Sequence, residues 1–192
     1  MLKKILSPGD VAPDFEASLL NGKALKLSRL RGHPVWMIFY RYANCPICNL
    51  HLTSLAFRND ILKNINLKVV AIFESPRESF PKTLAGKPYP DVAIVPDPAR
   101  KLYSLYGAES SLAGMFHPKS VTGFISALFQ GQKQGKLEGK FSQLPMSVLI
   151  DPDGYIDNIY RGRHAADHIP WETVDNFVER SQIGMWQVRD YI

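Results

Sequence analysis

Cysteine, long apolar runs and surplus charge are all scarce in this sequence. Its 192 residues include 2 cysteines, and 23 Lys and Arg against 18 Asp and Glu leave a formal net charge of +5. Two cysteines exclude the framework of a disulfide-rich secreted domain. No stretch reaches the about 18 uncharged apolar residues of a transmembrane helix, and the first residues lack the apolar run of a secretory signal. We therefore expect a cytoplasmic protein with no membrane partner.

The charge of the chain does not identify a class of partner. An excess of +5 permits an anionic partner without requiring one. A cluster of lysines in the third quarter of the chain is too sparse to indicate a nucleic-acid site, so we expect no nucleic-acid partner and interpret it as a solvated basic face. Its members are Lys119, Lys133, Lys136 and Lys140.

What is present favours one α/β domain. Hydrophobic residues make up 45% and charged residues 21% of the chain, as in an ordinary soluble protein. Near-continuous apolar runs at 34–40 and 67–73, and a shorter one at 92–95, indicate buried strands. Helix-like segments follow each of them, which predicts a central mixed sheet flanked by helices. These helices are expected from Pro46 to Ile65, from a capping Ser75, and from Asp97 to about Gly107.

The two ends of the chain add hairpins to this core. Asn21-Gly22 predicts an N-terminal β-hairpin, and the turn at 151–154 predicts a final hairpin over 146–160. A closing helix is expected at 171–181. We expect a single domain over 1–192 with an insertion at approximately 108–143, which holds a short helix at 123–129 and an exposed loop at 131–139.

The cysteines stand two residues apart where an apolar strand gives way to a helix. A bridge between Cys45 and Cys48 would close a tiny loop and add little stability, which suggests chemistry instead. Cys45 lies near the N-cap and Pro46 suits the first helical position, so free N–H groups and the helix dipole favour a thiolate. A stabilisation of about 0.3–2 kcal/mol would lower a thiol pKa by roughly 0.2–1.5 units. Cys45 is the candidate nucleophile, and Cys48 the group that resolves its product.

Metal and haem sites are the alternatives for such a pair. Structural zinc needs four ligands, usually two ligand pairs, and the nearby His51 has a poor spacing. His164 and His168 complete a site only if the chain folds back. Haem attachment needs His directly after the second cysteine, where Asn49 stands. We expect neither a metal nor another cofactor, although two inert buried cysteines remain an alternative.

Four further residues are candidates for the same site. Pro145 stands directly before a predicted strand, either as a simple strand start or as a residue that faces the cysteines. The final hairpin returns its chain to the cysteine end of the sheet, so Arg163 or Arg161 could stabilise a thiolate or orient a peroxide oxygen. The alternative is a solvated polar loop. Arg41 precedes Cys45 by four residues and is either a cation beside the thiol or a surface charge.

These motifs resemble the peroxiredoxin-like (alkyl hydroperoxide reductase and thiol-specific antioxidant) family of the thioredoxin superfamily. The resemblance implies a thioredoxin-like fold, and in that superfamily a cis-proline at the position of Pro145 faces the Cys-x-x-Cys pair. The matching stretches are residues 9–15, 39–41, 45–50, 143–145, 149–154, 162–163 and 167–170.

The peroxide-binding pattern of that family is only partly present. Peroxiredoxins carry Pro-x-x-x-Thr/Ser-x-x-Cys, whereas Ile38 and Tyr42 occupy the Pro and Thr positions here. Peroxiredoxins usually have arginine where this chain has Pro145. The sequence thus combines a peroxiredoxin-like frame with a thioredoxin-like redox centre.

The expected function is a thiol-dependent oxidoreductase that reduces peroxides through a dithiol/disulfide cycle, with the catalytic residues Cys45, Cys48, Pro145, Arg163 and Arg41. The expected partners are a peroxide or disulfide substrate and a thiol reductant such as thioredoxin, glutaredoxin or glutathione, and a homodimer stays open. The alternatives are a protein disulfide oxidoreductase and a non-enzymatic redox-sensing module.

Overall fold

The computed structural model describes residues 5–58, 66–80, 92–108 and 110–189. A mixed sheet with helices on both faces forms the body of the protein, and a small antiparallel hairpin stands beside it. In chain order the described elements are β1 (Glu16–Ser18), β2 (Ala24–Lys26), a 3-10 turn (Leu27–Leu30), β3 (Val35–Phe39), α1 (Pro46–Phe57), β4 (Lys68–Phe73), a 3-10 turn (Arg77–Ser79), β5 (Val92–Pro96), α2 (Lys101–Tyr106), α3 (Leu112–Met115), α4 (Pro118–Phe129), β6 (Met146–Ile150), β7 (Ile156–Arg161) and α5 (Trp171–Arg189).

The strand order of the sheet confirms the expected fold class. The strands lie in the order β5-β4-β3-β6-β7. β3 runs parallel to β4, and β4 parallel to β5, whereas β6 is antiparallel to both β3 and β7. The sheet is therefore mixed, and the hairpin of β6 and β7 forms its antiparallel side.

Two apolar cores lie on opposite faces of the sheet. Successive side chains of a strand point to opposite faces, so the apolar run of β3 divides between them. Trp36 and Ile38 pack with residues of α1 and α5. Met37 and Phe39 pack with α2 and with the N-terminal hairpin. Because both faces of β3 are covered, every residue of the strand is buried.

The register brings the candidate residues to one end of the sheet. Phe39, the last residue of β3, pairs with Ile72 of β4 and with Met146 of β6. Met146 in turn pairs with Arg161 at the end of β7. The chain after β3, the residue before β6 and the loop after β7 therefore meet at the same edge, as the hairpin geometry predicted.

Several element boundaries differ from the sequence expectations. The helix from Pro46 ends at Phe57, and residues 59–65 lie outside the described part of the chain. Ser75 does not cap a helix: a 3-10 turn follows Pro76 without a side-chain cap, because the Ser75 hydroxyl accepts a hydrogen bond from the Ala43 N–H instead. The rest of that predicted helix falls at 81–91, outside the described residues.

Other helices have different bounds from those that local sequence indicated. The Asp97 carboxylate accepts hydrogen bonds from the N–H groups of Lys101 and Leu102, but the helix begins at Lys101 rather than at Asp97, because the residue before it, Arg100, has a left-handed backbone. The short helix expected at 123–129 begins earlier, at Pro118, and α3 precedes it. None of the helices that the structure describes is long and apolar enough to cross a membrane.

Candidate active site

The cysteine pair lies at the start of α1, directly beyond the end of β3. α1 begins at Pro46, which has no N–H to leave unpaired. The carbonyl oxygen of Cys45 accepts the first helical hydrogen bond, from the Asn49 N–H at 3.0 Å. Both thiols are reduced, and Cys45 and Cys48 are 0% and 2% exposed. The pair therefore lies at a helix N-terminus, as the sequence predicted.

The surroundings of the two thiols give them different pKa values. Burial raises the pKa of Cys45, but the Cys48 thiol, the Arg41 charge and the N–H groups of Cys48 and Ile47 outweigh it and lower the pKa to about 7. Burial and then the neighbouring Cys45 raise the pKa of Cys48 well above its ordinary value. At neutral pH Cys45 is therefore substantially a thiolate, whereas Cys48 holds its proton.

Arg41 is the cation beside the nucleophile. Its Nη1 donates to Cys45 Sγ at 3.7 Å, and its Nη2 donates to the carbonyl oxygen of Phe141 at 3.0 Å. The guanidinium also lies over the rings of Tyr42 and Phe141, 5.1 and 5.6 Å from their centroids. Arg41 is 4% exposed, and its Nε has no hydrogen-bond partner among the described residues. The surface-charge interpretation of Arg41 is thus wrong.

Residues 134–141, the covering segment, lie against the loop that carries the cysteines. The Tyr42 hydroxyl donates to Gln134 at 3.1 Å, and the Gly135 N–H donates to the Asn44 carbonyl at 3.3 Å. The carbonyl oxygen of Phe141 holds Arg41. Sequence reasoning predicted an exposed loop over 131–139, and most of these residues are exposed, but it missed these contacts because a loop glycine does not show which segment its backbone meets.

A buried carboxylate anchors the end of the covering segment. Glu74, which is 2% exposed, forms an ion pair with Arg100 and accepts a hydrogen bond from the Lys140 N–H. Arg100 also donates to Gln143 at 2.7 Å. A Cβ on Gly139 would lie 2.0 Å from the Glu74 carboxylate, so only glycine fits there. Sequence reasoning did not identify Glu74, since a lone glutamate after a strand carries no local signal.

An apolar cleft of about 590 Å³ opens beside Arg41. This volume lies in the range of small-molecule sites, about 300–1,000 Å³. α3, α4 and the covering segment supply most of its walls. The apolar side chains that line it are Ile47, Met115, Phe116, Val121, Phe124, Leu137 and Phe141.

Two other predicted site residues occupy different surroundings. Pro145 is buried and directly precedes Met146, which pairs with Phe39, so it lies at the cysteine end of the sheet. Its peptide bond is trans, unlike the cis bond of the superfamily. The Arg163 side chain is 85% exposed and lies 3.4 Å from Asp167. Among the described residues the structure thus brings Arg41, Cys45 and Cys48 into contact and pairs Arg163 with Asp167.

The histidines considered as zinc ligands are stacked instead. The rings of His51 and His168 lie face to face, with centroids 3.8 Å apart, and His51 Nδ1 shares a hydrogen bond of 2.7 Å with the Tyr40 hydroxyl. Burial lowers the pKa of His168 to about 3 and that of His51 well below its usual range. In the described part of the chain, no three His, Cys, Asp or Glu side chains form a group that could hold a metal ion.

Several solved structures have a fold similar to that of this chain. The thiol peroxidase from Chromobacterium violaceum superposes with a TM-score of 0.64 at 14% identity, covering 94% of this chain and 90% of that one. Peroxidoxin BcpB from Mycobacterium tuberculosis gives 0.63 at 18%, over 92% and 96%. The exposed lipoprotein thioredoxin from Streptococcus pneumoniae gives 0.55 at 17%, over 88% and 99%. At these identities the likeness shows the fold, and no curated protein matches the sequence.

A family model gives the assignment. The model of the AhpC/TSA family matches residues 8–159, a stretch that contains the cysteine pair, Arg41 and Pro145. This match supports a thiol oxidoreductase with a thioredoxin-like fold, in agreement with the buried thiolate beside a cation. The chain belongs to the AhpC/TSA family.

Proposed function

We propose that this protein reduces peroxides by a dithiol/disulfide cycle of Cys45 and Cys48. The proposal rests on the difference in pKa between two thiols that share one buried site. Cys45 has a pKa lowered to about 7 and lies 3.7 Å from Arg41 Nη1, whereas Cys48, one helical turn further on, remains protonated. A nucleophile and a resolving thiol therefore stand side by side.

The proposed cycle has three balanced steps. The Cys45 thiolate attacks the hydroxyl oxygen of the peroxide ROOH and the O–O bond breaks, so Cys45 becomes a sulfenic acid and the alkoxide RO⁻ leaves as ROH with a proton from solvent. Cys48 then attacks the Cys45 sulfur, and the sulfenic hydroxyl leaves as water with the Cys48 proton. An external dithiol finally reduces the disulfide by exchange and is itself oxidised.

Arg41 supplies the positive charge that this chemistry needs. Ile38 and Tyr42 replace the Pro and Thr of the peroxiredoxin pattern, and the Tyr42 hydroxyl already donates to Gln134. A guanidinium next to the thiolate stabilises charge both in the ground state and on the departing oxygen. We propose Arg41 as the residue that replaces the missing hydroxyl, with Nε available for a peroxide oxygen.

Access to Cys45 requires movement of the covering segment. The sulfur is 0% exposed, and the Arg41–Phe141 hydrogen bond closes the side that faces the cleft. Contacts of residues 134 and 135 with the cysteine loop are few and partly exposed, which makes local opening cheap compared with global unfolding. Substrate entry through the cleft is the route that we propose.

Exchange with protein disulfides is the second candidate. The open apolar cleft beside the redox centre favours it, because a cleft of this kind can receive apolar side chains of another protein. Pro145 lies at the same end of the sheet as the cysteines and would contribute to this function.

A non-enzymatic redox module is the third candidate, in which the cysteine pair only changes between dithiol and disulfide. The second and third candidates use the same dithiol as the first. Disulfide exchange turns over protein disulfides, whereas the redox module turns over no substrate.

Two assays with matched variants test the proposal. Purified protein is given hydrogen peroxide or cumene hydroperoxide with thioredoxin, glutaredoxin or glutathione, and peroxide consumption is followed. Loss of turnover in both Cys45→Ser and Cys48→Ser, with turnover retained in Arg163→Met, supports it. Insulin reduction without peroxide turnover would favour disulfide exchange. No turnover in either assay, with a reversible disulfide, would favour the redox module.

A further inference from the structure

Helix α4 is apolar on more than the face that it buries. Ser120, Phe124 and Ala127 lie on the side that packs toward α1, where Ser120 and Ala127 are buried. The opposite side carries Ile125 and Phe129, which are 47% and 88% exposed. A surface helix normally carries polar residues opposite its buried face, so the apolar outer side of α4 indicates a missing partner.

Neighbouring segments extend this outer side into one surface, the apolar patch. Val121, Ile125 and Phe129 form a stripe along α4 at a spacing of four residues. Phe116, from the end of α3, and Leu137, from the covering segment, join the stripe across the mouth of the cleft that Val121 also lines. Phe116 and Leu137 are 73% and 59% exposed. Contiguous exposed apolar surface of this kind marks an interaction site.

The stretch of chain that supplies the apolar patch is rich in basic residues. Residues 110–143 contain four lysines and one acidic residue, Glu138. All four lysines are exposed, and the Glu138 carboxylate is turned inward to accept from the Ser79 hydroxyl. The amphipathic surface thus combines Phe, Ile and Leu with lysines, the composition of helices that lie in the headgroup region of anionic membranes.

We propose that the apolar patch docks this protein onto the surface of an anionic phospholipid bilayer. Phe129 and Phe116 enter the headgroup region, and Lys133 and Lys136 lie over the lipid phosphates. A second copy of the chain fits less well, because it would bring a second set of the same lysines to this surface while the one acidic side chain of the segment, Glu138, is turned inward. Peripheral docking needs no membrane-spanning helix, so it revises the sequence expectation of no membrane partner. The dithiol chemistry does not require it, although Phe116, Val121 and Leu137 of the patch also line the cleft proposed for substrate entry.

The test is sedimentation of the full chain with lipid vesicles. Vesicles of phosphatidylcholine with phosphatidylglycerol should bind the protein at least about tenfold more tightly than vesicles of phosphatidylcholine alone, and added salt should weaken this binding. Lys133→Glu/Lys136→Glu should lower binding at least about tenfold. The matched pair Lys23→Glu/Lys101→Glu, on exposed positions of the β1–β2 hairpin and α2, changes net charge equally and should retain it.

A second set of variants tests the apolar contribution. Ile125→Ser/Phe129→Ser should abolish vesicle binding, whereas Phe57→Ser, an equally exposed phenylalanine at the far end of α1, should leave it intact. Cys45→Ser should bind like the natural sequence. Absence of binding to anionic vesicles, or equal losses in both lysine pairs, overturns the proposal. A concentration-dependent dimer that Ile125→Ser/Phe129→Ser dissociates also overturns it, since a second copy then covers the patch.

Discussion

The guanidinium of Arg41 joins the sulfur of Cys45 to the carbonyl oxygen of Phe141. One arm lies 3.7 Å from the sulfur and the other donates to the carbonyl at 3.0 Å. The same side chain therefore stabilises the thiolate and closes the covering segment over it. When the thiolate reacts, Arg41 loses one of its two hydrogen-bond acceptors, so we expect reaction at sulfur to change how firmly the segment is held.

Replacement of Arg41 by Met should raise the pKa of Cys45. The pKa near 7 depends in part on the cation at 3.7 Å, and without it burial is opposed only by the Cys48 thiol and the N–H groups of Cys48 and Ile47. The thiolate fraction at pH 7 then falls from about half to a few per cent. The pH midpoint of iodoacetamide alkylation measures this, since opening of the segment alters the rate at every pH but not the midpoint. Arg163→Met, whose side chain pairs with Asp167, should leave the midpoint in place.

Gly139→Ala should loosen the covering segment. Gly139 has a φ of +64°, and an added Cβ would lie 2.0 Å from Glu74, so the substitution combines backbone strain with a clash against a buried ion pair. We expect a loss of about 2–4 kcal/mol in the free energy of unfolding, together with faster alkylation of Cys45. Gly131→Ala is the matched control, because its φ of +83° carries the same strain but nothing lies within 4 Å of its Cβ. Equal losses in the two variants would contradict the clash.

Glu74→Gln should destabilise the protein by about 3–5 kcal/mol, since it leaves the partly buried Arg100 guanidinium without its anionic partner. Urea unfolding measures the change. Asp157→Asn removes a carboxylate from an exposed ion pair with Arg180 and should cost less than about 1 kcal/mol. A small effect at Glu74, comparable with that at Asp157, would show that Glu74 does not anchor the segment.

Acid should destabilise the protein through its stacked histidines. The pKa of His168 is lowered to about 3, so between that value and about 6.5 the unfolded chain binds a proton that the folded protein does not. Stability conferred by this neutral imidazole is therefore present above about pH 6.5 and is lost as pH falls, by about 1.4 kcal/mol per unit. Urea unfolding at pH 7, 6 and 5 should show a shallower acid loss in His168→Phe. The same slope in both proteins would mean that His168 titrates normally.

Local sequence was sufficient for the elements that build the redox centre. The apolar run ending at Tyr40 and the proline after Cys45 define a strand–helix junction, and hairpin geometry then places the ends of β6 and β7 beside it. These features depend on periodicity and on helix-start chemistry within a few residues. The positions of Cys45 and Cys48 were therefore predictable, whereas Arg41 stayed open between a cation beside the thiol and a surface charge.

Contacts between distant segments were not predictable in the same way. Ser75 has a good capping sequence, but its hydroxyl is taken by Ala43, which lies across the fold. Gly135 and Gly139 look like ordinary loop glycines, yet one meets Asn44 and the other meets Glu74. Such pairings depend on the path of the whole chain, and a single sequence holds no local trace of them.

The central claim is that Cys45 is oxidised first and Cys48 resolves it. The most direct measurement is mass spectrometry of the reduced protein after one equivalent of peroxide at pH 7. The expected result is an intramolecular Cys45–Cys48 disulfide in the natural sequence, and a sulfenic acid on Cys45, trapped with dimedone, in Cys48→Ser. Two results would contradict the claim. One is a natural sequence that stays fully reduced, and the other is a Cys45→Ser variant in which Cys48 is oxidised as fast as Cys45 is in Cys48→Ser.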